Sequence, residues 1–354
     1  MTAITVNDKT YVSLKEAGDL IVNNPDKRFA LFSGPGIGKT SLAGTLEKIT
    51  GHKAFVIPCT DIELGDVAMP VIDHESKVTR FYPSERFGLE YGNPVIIVLD
   101  EFFKASQPVQ NMLHPLLEQF RPRLAGTELP PESLVFLTGN TLGDGLGDNM
   151  KGHTRSRIID VNVRGANNKE WRVWLAENGG HPVMQAVAEQ NPQLFVSYED
   201  DPGNQHIWNP KRPNDGYFCL RSGKTVSDLY WTRDTVTPNA FRAAVEGAVG
   251  KATADLILQF DRFQEQMPSW DDIIKNPMTT QIPRDPGALA MFTFMAIERF
   301  KTAAELEAVL DYLERTNEWD AIFCVTLARH KTKNVIAFKN QRFAKWVADN
   351  EDLL

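Results

Sequence analysis

The chain has 354 residues, 42% of them hydrophobic and 24% charged, ordinary values for a folded protein that rule out wholesale disorder. Its 38 Lys and Arg against 46 Asp and Glu leave a formal charge of −8, which argues against a protein that simply coats nucleic acid or anionic membrane. No unbroken apolar run exceeds the stretch Val95–Leu99, far short of the roughly 18 residues a membrane-spanning helix needs. Met1–Asp8 lacks the basic-then-apolar pattern of a secretory signal, and Cys59, Cys219 and Cys324 give no zinc spacing and no disulfide framework. Reduced thiols in a cytoplasmic protein are the expectation.

In chain order, the first predicted strand is Phe29–Ser33. Ser33-Gly34-Pro35-Gly36-Ile37-Gly38-Lys39-Thr40-Ser41 follows it and opens a helix carrying Leu42, Leu46 and Ile49 at i, i+4, i+7. Strand, Gly-rich curl and helix are the setting of a phosphate-binding loop. Glycines let the main-chain amides point inward, Lys39 reaches the β- and γ-phosphates, and Thr40 holds Mg²⁺. The usual first Gly of such loops is Ser33 here. A second strand, Ala54–Ile57, precedes Met69–Asp73 and Lys77–Tyr82, which flank His74-Glu-Ser as a hairpin.

The third strand, Val95–Leu99, ends in Asp100-Glu101. Two carboxylates at the end of a buried strand need partners or work. Asp100 would hold the metal through its water shell, and Glu101 would take a proton from an attacking water. Val109, Met112, Leu113, Leu116, Leu117 and Phe120 then form one helical stripe capped at Ser106, with Pro115 inside it as a kink. The fourth strand, Leu134–Thr138, leads to Asn140, an amide placed to orient that water. Gly143-Asp-Gly-Leu-Gly-Asp148 reads as a loop, without the Glu of a calcium loop. His153-Thr-Arg155-Ser-Arg157 precedes the fifth strand, Ile158–Val163, and an arginine there could reach a neighbouring subunit's nucleotide. Arg157 is the first choice and Arg155 the second.

Beyond Arg164–Asn168 the strand signal fades. Asn168 is positioned to cap a helix with Trp171, Trp174 and Leu175 that stops at Gly179-Gly180. Residues 198–216 read as a long loop, followed by helices near 238–264, 286–300, 302–315 and 317–329. Ser269-x-x-Asp272 and Thr302-x-x-Glu305 have the form of capping boxes. The expected division is therefore an α/β domain over 1–165, with a hairpin insertion near 69–82, and a helical region over 166–354.

Phosphate loop, Asp-Glu strand, Asn strand and late arginines in this order resemble the AAA+ ATPases. Three stretches narrow the likeness to the MoxR type of bacteria and their phages: Cys59–Pro70, Asp100–Leu113 and Phe218-Cys-Leu-Arg221-Ser222. Ala244–Gly250, Met267-Pro268 and Phe343–Trp346 extend it to the lid and tail. The resemblance implies a P-loop NTPase fold, a five-stranded parallel αβα sandwich followed by an α-helical lid and helical tail. It also implies ATP and Mg²⁺ as ligands and a hexameric ring with ATP at subunit interfaces. Arg221 would be a second sensor arginine, although the Thr-Pro that usually precedes it is missing. A chaperone-like action beside a von Willebrand A domain protein, in the cytoplasm of a bacterium or phage-infected cell, is a further implication. Phe81 and Tyr82 would grip a partner, unless they pack on the sheet.

Two other classes stay open from the residues. Arg329, Lys331, Lys333, Lys339, Arg342 and Lys345 lie among Phe338, Phe343 and Trp346 without an acidic residue. They would suit a DNA-directed motor or loader, or else a solvated face over buried aromatics. A non-hydrolysing, nucleotide-dependent scaffold is the third reading. The seven histidines have no ligand spacing, and no nucleophile elbow appears, so Mg²⁺ is the one metal expected.

Overall fold

Val95–Leu99 is apolar throughout and mostly β-branched, and such a run suits a strand covered on both faces. In the computed structural model, which describes residues 4–6, 9–140, 152–212, 214–316 and 318–354, it lies inside a seven-stranded sheet. The chain divides into two compact units, Met1–Gly165 and Ala166–Leu354.

The first unit runs β1 (Ile4–Val6), β2 (Lys9–Val12), α1 (Leu14–Asn23), β3 (Phe29–Ser33), α2 (Leu42–Thr50), β4 (Lys53–Pro58), α3 (Leu64–Val67), β5 (Ala68–Asp73), β6 (Val78–Pro83), β7 (Val95–Asp100), α4 (Gln107–Leu113), β8 (Arg123–Leu124), β9 (Thr127–Glu128), β10 (Leu134–Asn140), α5 (Gly152–Arg155) and β11 (Ile159–Val163). Sheet order is β1-β2-β11-β3-β10-β7-β4, parallel at every step except β1 with β2. The parallel sheet is thus the predicted one, widened at one edge by two strands that the sequence reading misses. Lys9–Val12 is short and half polar, and its strand state depends on pairing Tyr11 with Asn162.

Alternate residues of the inner strands feed two cores. Val95, Ile97, Leu99, Val135 and Leu137 join Leu113 and Leu117 in one; Ile96, Val98 and Phe136 join Ala17, Leu42 and Leu46 in the other. The stripe predicted after the third strand is not one helix. α4 ends at Leu113, and a 3₁₀ turn, His114–Leu117, takes Pro115 near its start, where a missing amide costs little. Phe120 lies beyond that turn and is 89% exposed, and Ile49 at the end of α2 also faces solvent. Ser106 sits at the N-cap of α4 but makes no side-chain cap bond. β5 and β6 form a separate hairpin with Met69 opposite Tyr82 and Asp73 opposite Val78. Phe81 and Tyr82 are about half exposed there rather than packed away.

The second unit is helical: α6 (Asn168–Glu177), α7 (Pro182–Gln190), α8 (Leu220–Trp231), α9 (Pro238–Val249), α10 (Lys251–Leu258), α11 (Trp270–Lys275), α12 (Pro286–Arg299), α13 (Ala303–Glu314), α14 (Trp319–Ala328), α15 (Asn334–Ala337) and α16 (Gln341–Asp349). Asn167, not Asn168, caps α6. Its side chain accepts the Glu170 amide, and the Glu170 carboxylate accepts the Asn167 amide. Trp171 and Leu175 are buried, whereas Trp174 is exposed. Thr302 caps α13 by accepting the Glu305 amide, but the Glu305 carboxylate accepts from Lys301 instead. Ser269 sits at the N-cap of α11 without a side-chain cap bond. The described part of 198–216 has no helix or strand, only a single bridge from Ile207 to Phe218. α12 is buried nearly all round, from Gly287 to Ile297, and so forms the centre of this unit. Among the described residues no helix is long and apolar enough to cross a membrane.

Candidate active site

Parallel strands bring their C-terminal ends to one sheet edge, where α/β folds take ligands. β3, β10 and β7 end there in Ser33, Asn140 and Asp100. Register pairs Asn140 with Ser33, and the Leu137–Leu99 pair brings Thr138 level with Asp100.

Gly34–Ser41 leaves β3 as a curl around Pro35 and Ile37. Gly36 (φ 75°) and Gly38 (φ 98°) adopt left-handed conformations open to glycine. A Cβ on Gly38 would also stand 3.1 Å from Ser41 Oγ. Ser41 Oγ donates to the Gly38 carbonyl at 2.7 Å, fastening the curl just before α2.

Lys39 is 8% exposed. Its Nζ lies 2.7 Å from Ser33 Oγ, 3.3 Å from Ser33 O, 3.2 Å from Gly34 O and 3.2 Å from Asn140 Oδ1. A buried ammonium needs such acceptors, and phosphate oxygens are a chemically equivalent set. Ser33 therefore replaces the usual Gly with a residue whose hydroxyl serves Lys39.

Thr40 Oγ1 lies 3.3 and 3.2 Å from the two carboxylate oxygens of Asp100. A hydroxyl and a carboxylate this close are hard oxygen donors suited to Mg²⁺. Asp100 also accepts from Thr138 Oγ1, and that same hydroxyl accepts the Glu101 amide at 3.0 Å. Glu101 is left-handed, with φ 52° and ψ 37°. For a residue other than Gly that costs about 1–2 kcal/mol. Its carboxylate is 41% exposed and pairs with Lys104 Nζ at 3.2 Å.

Sequence reasoning overlooked Thr138 and Lys104. A hydroxyl alone on a strand buried at every position was the available signal for Thr138. A base three residues past Glu101 was the signal for Lys104.

Arg157 Nε lies 3.4 Å from Glu118 Oε1, and Arg155 pairs with Asp160 at 3.2 Å. Both arginines precede β11, whose Ile159 pairs with Phe29, so they sit at the sheet edge opposite Ser33. Arg221 is an exposed residue in the first turn of α8 in the second unit. Residues 143–148 lie outside the described residues.

Three of the tail's six basic residues, Arg329, Lys333 and Arg342, are engaged within their own unit, while Lys331, Lys339 and Lys345 are exposed. Arg342 pairs with Glu307, Asp311 and Glu314, and Arg329 pairs with Glu177. Lys333 Nζ donates to the carbonyls of Glu298 and Phe300, and Phe343 is buried. Burial pushes the Cys59 and Cys324 thiols up to about 12, so neither is a nucleophile near neutral pH. Among the described residues no group of three or more His, Cys, Asp or Glu could hold a metal.

No curated protein matches the sequence. Among solved structures, the chain is similar to the Thermotoga maritima RuvB Holliday junction branch migration motor at 15% identity and a TM-score of 0.36, covering 87% of this chain and 86% of that one. NtrX from Brucella abortus, solved in complex with ADP, is similar at 11% identity and a TM-score of 0.39, covering 96% of this chain and 67% of that one. Residues 31–158, from β3 to the threshold of β11, match the family model described as AAA domain (dynein-related subfamily). The matched stretch contains the whole curl Gly34–Ser41, both acidic residues, Thr138 and Asn140.

Proposed function

We propose that the chain is an ATP-hydrolysing motor of the MoxR type that works as a ring of identical subunits, most simply a hexamer, and remodels a protein partner. One observation carries the hydrolytic reading. Adjacent Lys39 and Thr40 in the curl bond to Asn140 at the end of β10 and to Asp100 at the end of β7, so three separate segments meet at the ligand-binding edge of the sheet.

In this reading the amides of Gly34–Ser41 take the phosphates, and Lys39 exchanges its carbonyl and hydroxyl acceptors for phosphate oxygens. Thr40 and Asp100 would hold Mg²⁺, which when bound offsets charge on the β- and γ-phosphate oxygens. Glu101 accepts the proton of the attacking water, and Asn140 orients that water. Water adds to the γ-phosphorus as the bond to the β–γ bridging oxygen breaks, giving ADP and phosphate.

Arg157 cannot serve its own site easily, because the length of β3 separates them, roughly 16 Å. That supports a role in the neighbour's site, once its half-exposed pair with Glu118 yields. Such a pair is worth about 0–1 kcal/mol. Arg221 would act as the second sensor from the helical unit. The exposed Phe81 and Tyr82 suit contact with a protein partner, and the MoxR likeness gives that partner a von Willebrand A domain. The engaged tail arginines lend the DNA-directed reading no support.

The test is Glu101→Gln. ATP binding should persist while phosphate release falls by about 10²–10⁴. Full-rate turnover by that variant would remove Glu101 from its role.

A further inference from the structure

The proposed general base is not aimed into the cluster around Lys39. Among the described residues its carboxylate forms an ion pair with Lys104, not with Lys39. Two features make that arrangement more than a chance surface contact. The Glu101 amide is fixed by Thr138 Oγ1 and its backbone is left-handed, so only the side chain is free to turn. The 3₁₀ turn carrying Lys104 is anchored in turn. Its first two residues, Phe102 and Phe103, are buried, Phe103 stacks on Phe32 at 5.2 Å, and the Lys104 amide donates to the Glu101 carbonyl at 3.0 Å. The chain therefore holds the backbone of Lys104 at a set place, from which its side chain reaches the base.

We infer that Lys104 is a positioning residue, a latch that keeps Glu101 in a resting orientation and must release it before water is activated. This rests on the hydrolytic reading above. The latch slows the isolated chain by a few-fold, for a reason separate from any missing arginine. Because the pair is half exposed, it biases the side chain only modestly, and salt weakens it.

The experiment measures phosphate release by the full chain at saturating Mg·ATP. Lys104→Met should raise kcat roughly two- to five-fold over wild type at about 0.05 M salt, with KM for ATP unchanged. Lys104→Arg, which keeps the charge, should fall back toward the wild-type rate. The advantage of Lys104→Met should shrink by about 0.5 M salt, where the wild-type pair is itself screened. A Lys104→Met kcat equal to or below wild type at low salt overturns the latch, as does an advantage undiminished at high salt. If neither wild type nor Lys104→Met releases phosphate, the hydrolytic reading fails and the latch fails with it. Wild-type turnover beside an unaltered Lys104→Met overturns the latch alone.

Discussion

Thr138→Val removes one buried hydroxyl and little volume. Thr138 is 0% exposed and uses its hydroxyl twice, donating to Asp100 and accepting the Glu101 amide. Loss of a hydrogen bond to a carboxylate costs about 1.5–3 kcal/mol, and an unpaired amide about 1–3 kcal/mol. Glu101 is half-buried, so water can reach its amide and the second cost falls at the low end. Relaxation of Glu101 out of its left-handed state returns about 1–2 kcal/mol. The net loss is then about 0.5–3 kcal/mol, localised to the ends of β7 and β10. Native-state hydrogen exchange of β10 amides reads that directly, since about 1.4 kcal/mol is a tenfold change in opening, so protection should fall by roughly 0.4 to 2 decades. Relaxation also displaces the base, and kcat for ATP should fall about ten- to a hundred-fold with KM little altered. Thr138→Ser keeps the hydroxyl and should retain most of both. Protection and kcat both unchanged in Thr138→Val would refute the claim that this hydroxyl ties the two carboxylates together.

Arg157→Ala should lower turnover while leaving nucleotide binding by the isolated chain intact. Mixing it with Glu101→Gln should restore part of the activity, and a mixture no more active than its components would count against action between subunits. Gly38→Ala places a Cβ at φ 98° and against Ser41 Oγ. Nucleotide affinity should drop about five- to thirty-fold, as read by a fluorescent ATP analogue, given the cost of about 1–2 kcal/mol for leaving glycine there. Burial lowers the pKa of His181 to about 4, with the Glu298 charge opposing and Arg233 reinforcing that shift. His181 stacks on Tyr230 and meets Trp231 edge-on in the helical unit. A depressed histidine binds its proton more readily when unfolded. Its contribution is therefore intact above about pH 6.5 and is lost as pH falls from there toward 4, by up to about 3 kcal/mol. Melting curves at pH 7.5 and 5 should show a smaller acid loss for His181→Gln than for wild type, and equal losses would contradict the assignment.

The inner strands were legible because β7 and β10 are apolar at nearly every position, a pattern that suits burial on both faces. β2 was not, since its pairing partner lies about 150 residues away and its own residues are half polar. α7 was missed for the opposite reason. Pro182–Ala188 is buried on all sides, so it has no polar face and no stripe. Ile49 and Phe120 fit a helical stripe on paper, yet Ile49 sits in the last turn of α2 and Phe120 beyond the end of its 3₁₀ turn, where the core no longer reaches. At the site, Lys39, Thr40, Asp100 and Asn140 announce themselves by position after strands, because the curl and the strand ends are local features. Thr138 and Lys104 do not. One matters through sheet register and the other through the turn that folds it back on Glu101, and neither is written in a short motif.

The central claim is that main-chain amides and Lys39 at the end of β3 bind a triphosphate. Equilibrium dialysis of the full chain with labelled ATP and Mg²⁺ tests it most directly. The account expects saturable uptake of one ATP per chain in wild type and Glu101→Gln, and a loss of at least about ten-fold in affinity with Lys39→Ala. Equal uptake by wild type and Lys39→Ala, or none by folded wild-type protein, would contradict it.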